Sequence, residues 1–177
     1  LADRFASATV LGCSAGGVIG GGREVEAAPG LSLVAAHLPD VRIHGFAMDD
    51  SEVPAPSEAA AAWAKRLGLD PAQDPTFLLL PDPYTCDASK LLEGLDLAFP
   101  GQVKLGGLAS GASREGGNAL FLDGEVLRSG AIGLALDGNI TVDTVVAQGC
   151  RPIGKPMRIS KSERNMLLEL DDVPPME

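Results

Sequence analysis

The sequence predicts an α/β fold in which a mixed, largely antiparallel sheet carries at least two packed helices, as a two-layer structure or a sandwich. Residues 57–107 alternate between helical and buried-strand patterns, which is typical of α/β crossovers. After residue 118, apolar runs separated by Asp-Gly pairs predict antiparallel hairpins. The length of 177 residues suits one domain, which we expect to span residues 1–171.

The first part of the chain is predicted to form mainly strands. We expect residues 1–7 to be the end of a helix and residues 8–12 to be a short buried strand. Residues 31–38 are a longer apolar run and predict a second strand. Residues 41–48 alternate apolar and polar side chains, which indicates a half-exposed continuation or a third strand. Residues 49–56 are polar, contain proline and predict a loop.

The clearest helix is predicted to open at Ser57. Good helix formers follow, Trp63 and Leu67 fall on its inward face, and Gly68 ends it. Such a shallow apolar face suits packing on a sheet.

A strand, a helix and another strand are predicted next. Residues 76–80 are uninterruptedly apolar and predict a strand buried on both faces. Asp87 is placed to cap a helix over residues 88–99, which a Pro-Gly pair ends. Residues 103–105 predict a further buried strand.

The last third of the chain predicts an antiparallel meander. Residues 119–127 form a hairpin pattern around Asp123 and Gly124, which suit a type I′ turn. Residues 130–136 predict the next strand, and residues 140–148 predict its partner after a second turn.

The end of the chain is expected to hold shorter elements. We predict a turn at residues 149–154, a short strand at 157–159, and a strand or short helix, with the strand favoured, at 165–170. Residues 171–177 are acidic and proline-rich, and we expect 172–177 to begin a linker or a following half.

Composition and charge exclude several classes of protein. The formal net charge of −10 disfavours nucleic-acid binding, and the locally basic residues 155–164 are better explained as a solvated rim than as an anion site. No apolar run reaches the ~18 residues of a membrane span. The three cysteines are widely spaced, which argues against disulfides and structural zinc and favours a reducing cytoplasmic location. The chain lacks an initial Met, and we expect it to be part of a longer protein. We expect neither a cofactor nor a metal.

Small residues follow two of the predicted strands and suggest a backbone-lined pocket. Their backbone N–H groups are expected to take a carboxylate or another small polar group, with a hydroxyl contact from one of the serines. Tight turns are the structural alternative for each glycine. The candidate ligand-binding residues are Cys13, Ser14, Gly16, Gly17, Gly106, Gly107 and Ser110.

Catalytic motifs are matched only in part. Residues 12–16 fit G-x-S-x-G, but His37 and His44 follow Ser14 too soon for a hydrolase. Cys13 is a candidate nucleophile, although a small buried apolar role is more common for such a cysteine. The glycines also fall short of the dinucleotide and P-loop patterns. We therefore predict a protein that is not an enzyme, with a Ser or Cys hydrolase as the third choice.

Taken in order, these motifs resemble the N-terminal half of a FIST domain, from about residue 8 to residue 171. The motifs are residues 12–16, 105–107, 120–124, 130–136 and 149–154, then Asn165 with residues 170–171. The resemblance implies a non-catalytic sensory domain of a signal-transduction protein that binds a small ligand, with amino acids as proposed ligands. It also implies a following C-terminal FIST half. The alternative it leaves open is a substrate-recruiting domain of an F-box-type ubiquitin-ligase component, which would have signalling or ubiquitin-ligase partners.

Overall fold

The structure is a computed structural model that describes residues 8–55, 60–70, 73–146, 149–164 and 166–175. Within it the chain divides into two compact units, Leu1–Val142 and Asp143–Glu177. Each unit is described by itself below.

Short strands, two α-helices and a 3₁₀ helix make up the described part of the first unit. The strands are β1 (Leu11–Cys13), β2 (Gly17–Gly20), β3 (Arg23–Glu26), β4 (Val41–Met48), β5 (Thr76–Pro81), β6 (Lys104–Gly106), β7 (Leu120–Leu122), β8 (Glu125–Leu127) and β9 (Ala131–Gly138). The helices are α1 (Ala60–Leu67), α2 (Ala88–Ala98) and a 3₁₀ helix, Asp50–Glu52. The second unit contains the antiparallel hairpin of β10 (Ile159–Glu163) and β11 (Met166–Leu170).

The central sheet has the strand order β4-β9-β5-β6. Strand β9 is antiparallel to both β4 and β5, whereas β6 is parallel to β5 and follows it through the crossover helix α2. The predicted α/β class with a mixed, largely antiparallel sheet is therefore confirmed, as is the alternation of helices and strands between α1 and β6.

Apolar side chains cover both faces of this sheet. On one face, Phe46 and Phe77 pack in one cluster with Trp63 of α1 and with Leu91 and the other buried residues of α2. On the other face, the small sheet β1-β7-β8 packs through a second cluster centred on Leu120 of β7 and on Ile132 of β9. The alternation of side chains along a strand supplies both sets, so helices, central sheet and small sheet form successive layers.

Several local predictions are confirmed residue by residue. The Asp87 carboxylate caps α2 by accepting hydrogen bonds from the backbone N–H groups of Ser89 and Lys90. Asp123 and Gly124 both have positive φ, 47° and 90°, as a type I′ turn requires. Helix α1 buries Trp63, Ala64 and Leu67 as its pattern indicates.

Two predicted strands are wrong. Residues 31–38 form no strand, and Val34 there is 89% exposed. An apolar run makes a strand only where another strand offers its backbone groups, and this segment pairs with none in the described chain. Residues 140–146 also form no strand, because β4 and β5 already occupy both edges of β9. The meander therefore stops at β9, and residues 147–148 lie outside the described ranges.

Other boundaries shift, and one hairpin was not predicted. The strand expected at residues 8–12 is β1, which begins and ends later, and the strand expected at 157–159 begins only at Ile159. The strand favoured for 165–170 is confirmed as β11, although residue 165 itself is not described. Strands β2 and β3 form a hairpin whose turn residues, Gly21 and Gly22, have positive φ. Residues 1–7 and 57–59 lie outside the described part of the chain.

The contact between the two helices yields a first prediction. A Cβ added at Gly94 of α2 would lie 1.9 Å from a ring carbon of fully buried Trp63. Overpacking costs about 1–3 kcal/mol, and the upper end applies against a rigid ring, which outweighs the ~1 kcal/mol that Ala gains over Gly in a helix. We expect Gly94→Ala to lower the free energy of unfolding measured in urea.

The matched control is Gly107→Ala, because an added Cβ at Gly107 meets nothing within 4 Å. This variant should remain within about 0.5 kcal/mol of the parent protein. A stabilised Gly94→Ala protein would show that the two helices do not pack as described.

Candidate functional site

An open cleft of about 510 Å³ lies outside the carboxyl ends of the parallel strands β5 and β6. In α/β proteins this is the place where ligands characteristically bind, because the loops that leave the strands diverge there. The volume falls within the ~300–1,000 Å³ of small-molecule sites. The residues lining the cleft are Asp50, Pro83, Tyr84, Thr85, Cys86, Asp87, Ala88, Ser89 and Leu108.

The loop between β5 and α2 forms most of the cleft wall, and backbone hydrogen bonds fix its path. The Asp82 N–H donates to the carbonyl oxygen of Gly130 at 2.9 Å, and the Cys86 N–H donates to the carbonyl oxygen of Asp82 at 3.0 Å. The 3₁₀ helix closes another side, because Asp50 Oδ1 accepts from the Asp87 N–H at 2.9 Å. These hydrogen bonds fix the position of the backbone around the cleft.

A buried carboxylate supports this wall from beneath. Asp82 is fully buried, and its Oδ2 accepts a hydrogen bond from Thr85 Oγ1 at 2.5 Å. The same Thr85 oxygen accepts from the Gly130 N–H at 2.8 Å. Asp82 Oδ1 accepts from Asn118 Nδ2 at 2.7 Å. Because an unpaired buried carboxylate would be costly, these bonds fix Thr85 at the edge of the cleft.

The Asn118 amide, also fully buried, uses all of its hydrogen-bonding capacity. Besides Asp82, its Nδ2 donates to the Ala109 carbonyl oxygen at 3.4 Å. Its Oδ1 accepts from the Ala112 N–H at 2.9 Å and from Ser14 Oγ at 3.3 Å. One side chain therefore connects the segments that follow β1, β5 and β6 with the segment that precedes β7.

The glycine-containing segments after β1 and β6 do lie side by side. The Ser110 N–H donates to the Ser14 carbonyl oxygen at 3.1 Å, and the Gly16 N–H donates to Ser110 Oγ at 3.2 Å. The Gly107 N–H donates to the carbonyl oxygen of Leu79 at 3.1 Å. The Gly16 and Gly107 N–H groups, which were expected to face a ligand, are thus engaged within the protein.

None of the candidate residues predicted from the sequence lines the cleft, although Leu108, between Gly107 and Ser110, does. Gly106 has a φ of 150°, and a Cβ there would lie 1.9 Å from the Leu79 carbonyl oxygen, so it allows a close backbone approach. Gly107 faces open space. Gly17 begins β2, and half-buried Cys13 ends β1.

Asp50, Tyr84 and Thr85 were not predicted as site residues from the sequence. A signal was present, however, because the Pro-Asp-Pro segment after residue 80 and the cap at Asp87 bracket the connection from a buried strand to a helix. The first connection of a parallel crossover is where a binding cleft is expected.

The thiols of Cys86, in the cleft wall, and of Cys13, at the end of β1, both have raised pKa values. Burial first, and then the negative charges of Asp50, Asp87 and Asp82, raise the pKa of the Cys86 thiol to about 11. Burial also raises the pKa of Cys13. Nucleophilic cysteines need a lowered pKa, so both thiols are poorly suited to attack at neutral pH.

The residues of the partial hydrolase motif have structural contacts. Ser14 Oγ accepts from the Ala119 N–H at 3.0 Å and donates its proton to Asn118. His44 Nε2 lies 2.7 Å from the Leu67 carbonyl oxygen at the end of α1, and His37 is exposed. The hydroxyl of Ser14 thus holds two segments of the chain together.

The described residues offer neither a metal-binding cluster nor a membrane-spanning helix. Across those ranges, no group of three or more His, Cys, Asp or Glu side chains is arranged to hold a metal ion. None of the helices placed there combines the length and apolar character needed to cross a membrane.

Fold and cleft together define an α/β domain with a pocket at the end of a parallel crossover. The sequence matches the family model of the FIST N domain over residues 1–173. The chain therefore belongs to the FIST family, as its ordered motifs indicated.

Curated relatives of the chain occur in mycobacteria. An uncharacterized protein of Mycobacterium tuberculosis strain H37Rv is 34% identical over 169 residues, which are 96% of this chain and 42% of that protein. An uncharacterized protein of Mycobacterium bovis is 33% identical over 168 residues, 95% of this chain and 42% of that protein. The chain spans about two fifths of the length of these relatives. No solved structure matches it.

The buried network predicts a specific cost for Asn118→Asp. The change removes the donor to Asp82 and sets two buried carboxylates 2.7 Å apart. We expect a loss of about 3 kcal/mol or more in the free energy of unfolding at pH 7. Near pH 4 the loss should shrink, because two adjacent carboxyl groups can share one proton.

Urea unfolding at both pH values measures this effect. Asn139→Asp adds the same charge at an exposed position and serves as the control. Equal stability of the two variants at pH 7 would contradict the described role of Asn118.

The pKa of Cys86 yields another prediction. Its labelling by iodoacetamide should rise about tenfold per pH unit from pH 7 to pH 10 without levelling off, because the pKa lies near 11. Asp50→Asn removes a negative charge that opposes the thiolate, so the pKa falls and labelling becomes faster at every pH. Peptide mass spectrometry separates Cys86 from exposed Cys150, which controls for the reagent. A plateau below pH 9 would contradict the raised pKa.

Proposed function

We propose that this protein is a non-catalytic sensory domain of a signal-transduction protein, and that it binds an amino acid or a similar small metabolite. The observation that carries the proposal is the cleft outside β5 and β6. Membership of the FIST family, a family of sensory domains, supports the signalling role.

The character of the cleft supports recognition of a small ligand. Apolar contact area comes from Tyr84 and Leu108, which are 46% and 53% exposed. Polar groups converge from Asp50, Thr85 and Asp87. A few placed polar groups on a partly apolar wall are typical of small-molecule sites, and the hydrogen bonds beneath Thr85 reduce the entropy lost on binding.

The glycine-containing segments provide a second candidate position for the ligand. Gly107 borders open space, and Ser110 lies beside Gly16. In this variant of the proposal, the ligand lies against Cys13, Ser14, Gly16, Gly17, Gly106, Gly107 and Ser110, and its polar groups replace internal hydrogen bonds of these residues.

The proposal extends to the cellular context. We propose a cytoplasmic protein in which a C-terminal FIST half follows this domain and the ligand signal passes to a downstream partner. The proposal includes neither nucleic-acid binding nor membrane insertion, in keeping with the net charge of −10.

A protein-interaction domain of the F-box type is the second candidate function. The observation that favours it is the exposed apolar surface of the second unit, where Ile153 is 88% exposed and Ile159 59%. Exposed apolar side chains are typical of protein-binding surfaces when they form a continuous patch.

Thermal unfolding against a panel of amino acids and small metabolites tests the proposal. A ligand specific for the folded state adds about 2.7 kcal/mol of stability at a hundredfold excess over its dissociation constant. Leu108→Trp fills the cleft and should abolish the shift. Leu97→Trp is the matched control, because Leu97 is 59% exposed on α2 and does not line the cleft.

Loss of the shift in Gly107→Val but not in Leu108→Trp would move the ligand to the glycine-containing segments. If no compound shifts the midpoint of the full-length protein, ligand binding is contradicted. Capture of a partner protein that is lost in Ile153→Asp would then favour the interaction domain.

A further inference from the structure

We propose that the cleft recognises a positively charged amine with an apolar body. This inference rests on the proposed function and specifies which group of an amino acid or similar metabolite the cleft wall contacts, namely the amine rather than a carboxylate. It combines the charges on the cleft wall, the state of the α2 terminus and the apolar surface beside them.

The charged side chains that line the cleft are both carboxylates, Asp50 and Asp87. Oδ1 of Asp50 accepts from the Asp87 N–H, and Oδ1 of Asp87 accepts from the Ser89 and Lys90 N–H groups. Among the described contacts, only this one oxygen of each carboxylate is engaged. The remaining oxygens are suitable acceptors for a charged N–H donor, which makes shorter and stronger hydrogen bonds than a neutral one.

The positive end of α2 does not cancel the preference of these carboxylates for a cation. A helix N-terminus carries about half a positive charge and attracts anions. Here the carboxylate of Asp87 already occupies it and engages two of its N–H groups. The charge of the wall is therefore negative, which disfavours a ligand carboxylate or phosphate and favours a cation.

The thiol of Cys86 lies in the cleft wall, and the negative charges around it raise its pKa. After burial, the charges that raise its pKa are those of Asp50, Asp87 and Asp82, and the smaller opposing effect comes from Lys90. Lys90 itself does not line the cleft. Negative potential thus extends across the wall and is reinforced by the carboxylate beneath it.

The size and surface of the cleft indicate an apolar body attached to the cation. A volume of about 510 Å³ exceeds the space that an ammonium group fills. Tyr84, Pro83 and Leu108 supply apolar surface next to the carboxylates. An aromatic ring near a cation adds a further attraction.

Isothermal titration with probes of similar size and different charge tests the inference. The probes are phenethylamine, 2-phenylethanol and 3-phenylpropionate, each at low and at physiological salt. We expect phenethylamine to bind about tenfold more tightly than the alcohol, less so at higher salt, and the carboxylate to bind most weakly.

Asp50→Asn and Asp87→Asn test the carboxylates, because Asn keeps the Oδ1 acceptor and remains a good helix cap. Each should weaken phenethylamine binding about fivefold and leave binding of the alcohol unchanged. Glu93→Gln removes the same charge from an exposed position of α2 outside the cleft and should have no effect.

Binding of the carboxylate as tight as that of the amine would overturn the inference, as would amine binding that is unaffected by both Asn variants. Absence of amine binding would also overturn it. The proposed function would survive any of these results if a panel compound still raised the midpoint and Leu108→Trp still abolished that rise.

Discussion

The hydrogen bond between Asp82 and Asn118 is the interaction on which the arrangement of the loops depends. Both side chains are fully buried, and their remaining partners come from the segments around β1, β5, β6 and β7. A buried carboxylate is tolerated only while it is hydrogen-bonded, so these segments cannot separate without exposing or stranding polar groups. The same hydrogen bonds fix the edge of the cleft, because Thr85 there is bonded to the Asp82 carboxylate.

The parts of the fold that could be predicted are those whose signals are local in sequence. The Asp87 cap, the Asp123 turn and the apolar run of β5 each depend on a few neighbouring residues, and all are found where the sequence indicated. The parallel pair β5 and β6 followed from the alternation of helix and strand. Even the position of the cleft was implicit, since a crossover opens at the carboxyl ends of its strands.

The failures concern pairing between distant segments. Residues 31–38 and 140–146 have strand-like composition, yet whether a segment joins a sheet depends on which edges remain open. Strand β9 uses both of its edges, a fact that no local pattern contains. The cleft is likewise assembled from three segments, at Asp50, at residues 83–89 and at Leu108, and their convergence is a product of topology. The glycines around Gly16 and Gly107 indicated special backbone geometry in the sequence. The partners of their N–H groups became evident only in the three-dimensional structure.

The position of β1 has a consequence for the order of events during protein synthesis. Its flanking residue Val10 is hydrogen-bonded to Asp123, 113 residues later in the chain. At ribosomal rates of about 5–20 residues per second, the first strand emerges roughly 6–20 seconds before its partner. During that interval a nascent apolar segment has no native neighbour. The glycines that follow it have low strand propensity and make it a poor template for intermolecular pairing. The small sheet can form only once β7 has emerged, and β9, which joins β4 to β5 in the central sheet, emerges later still.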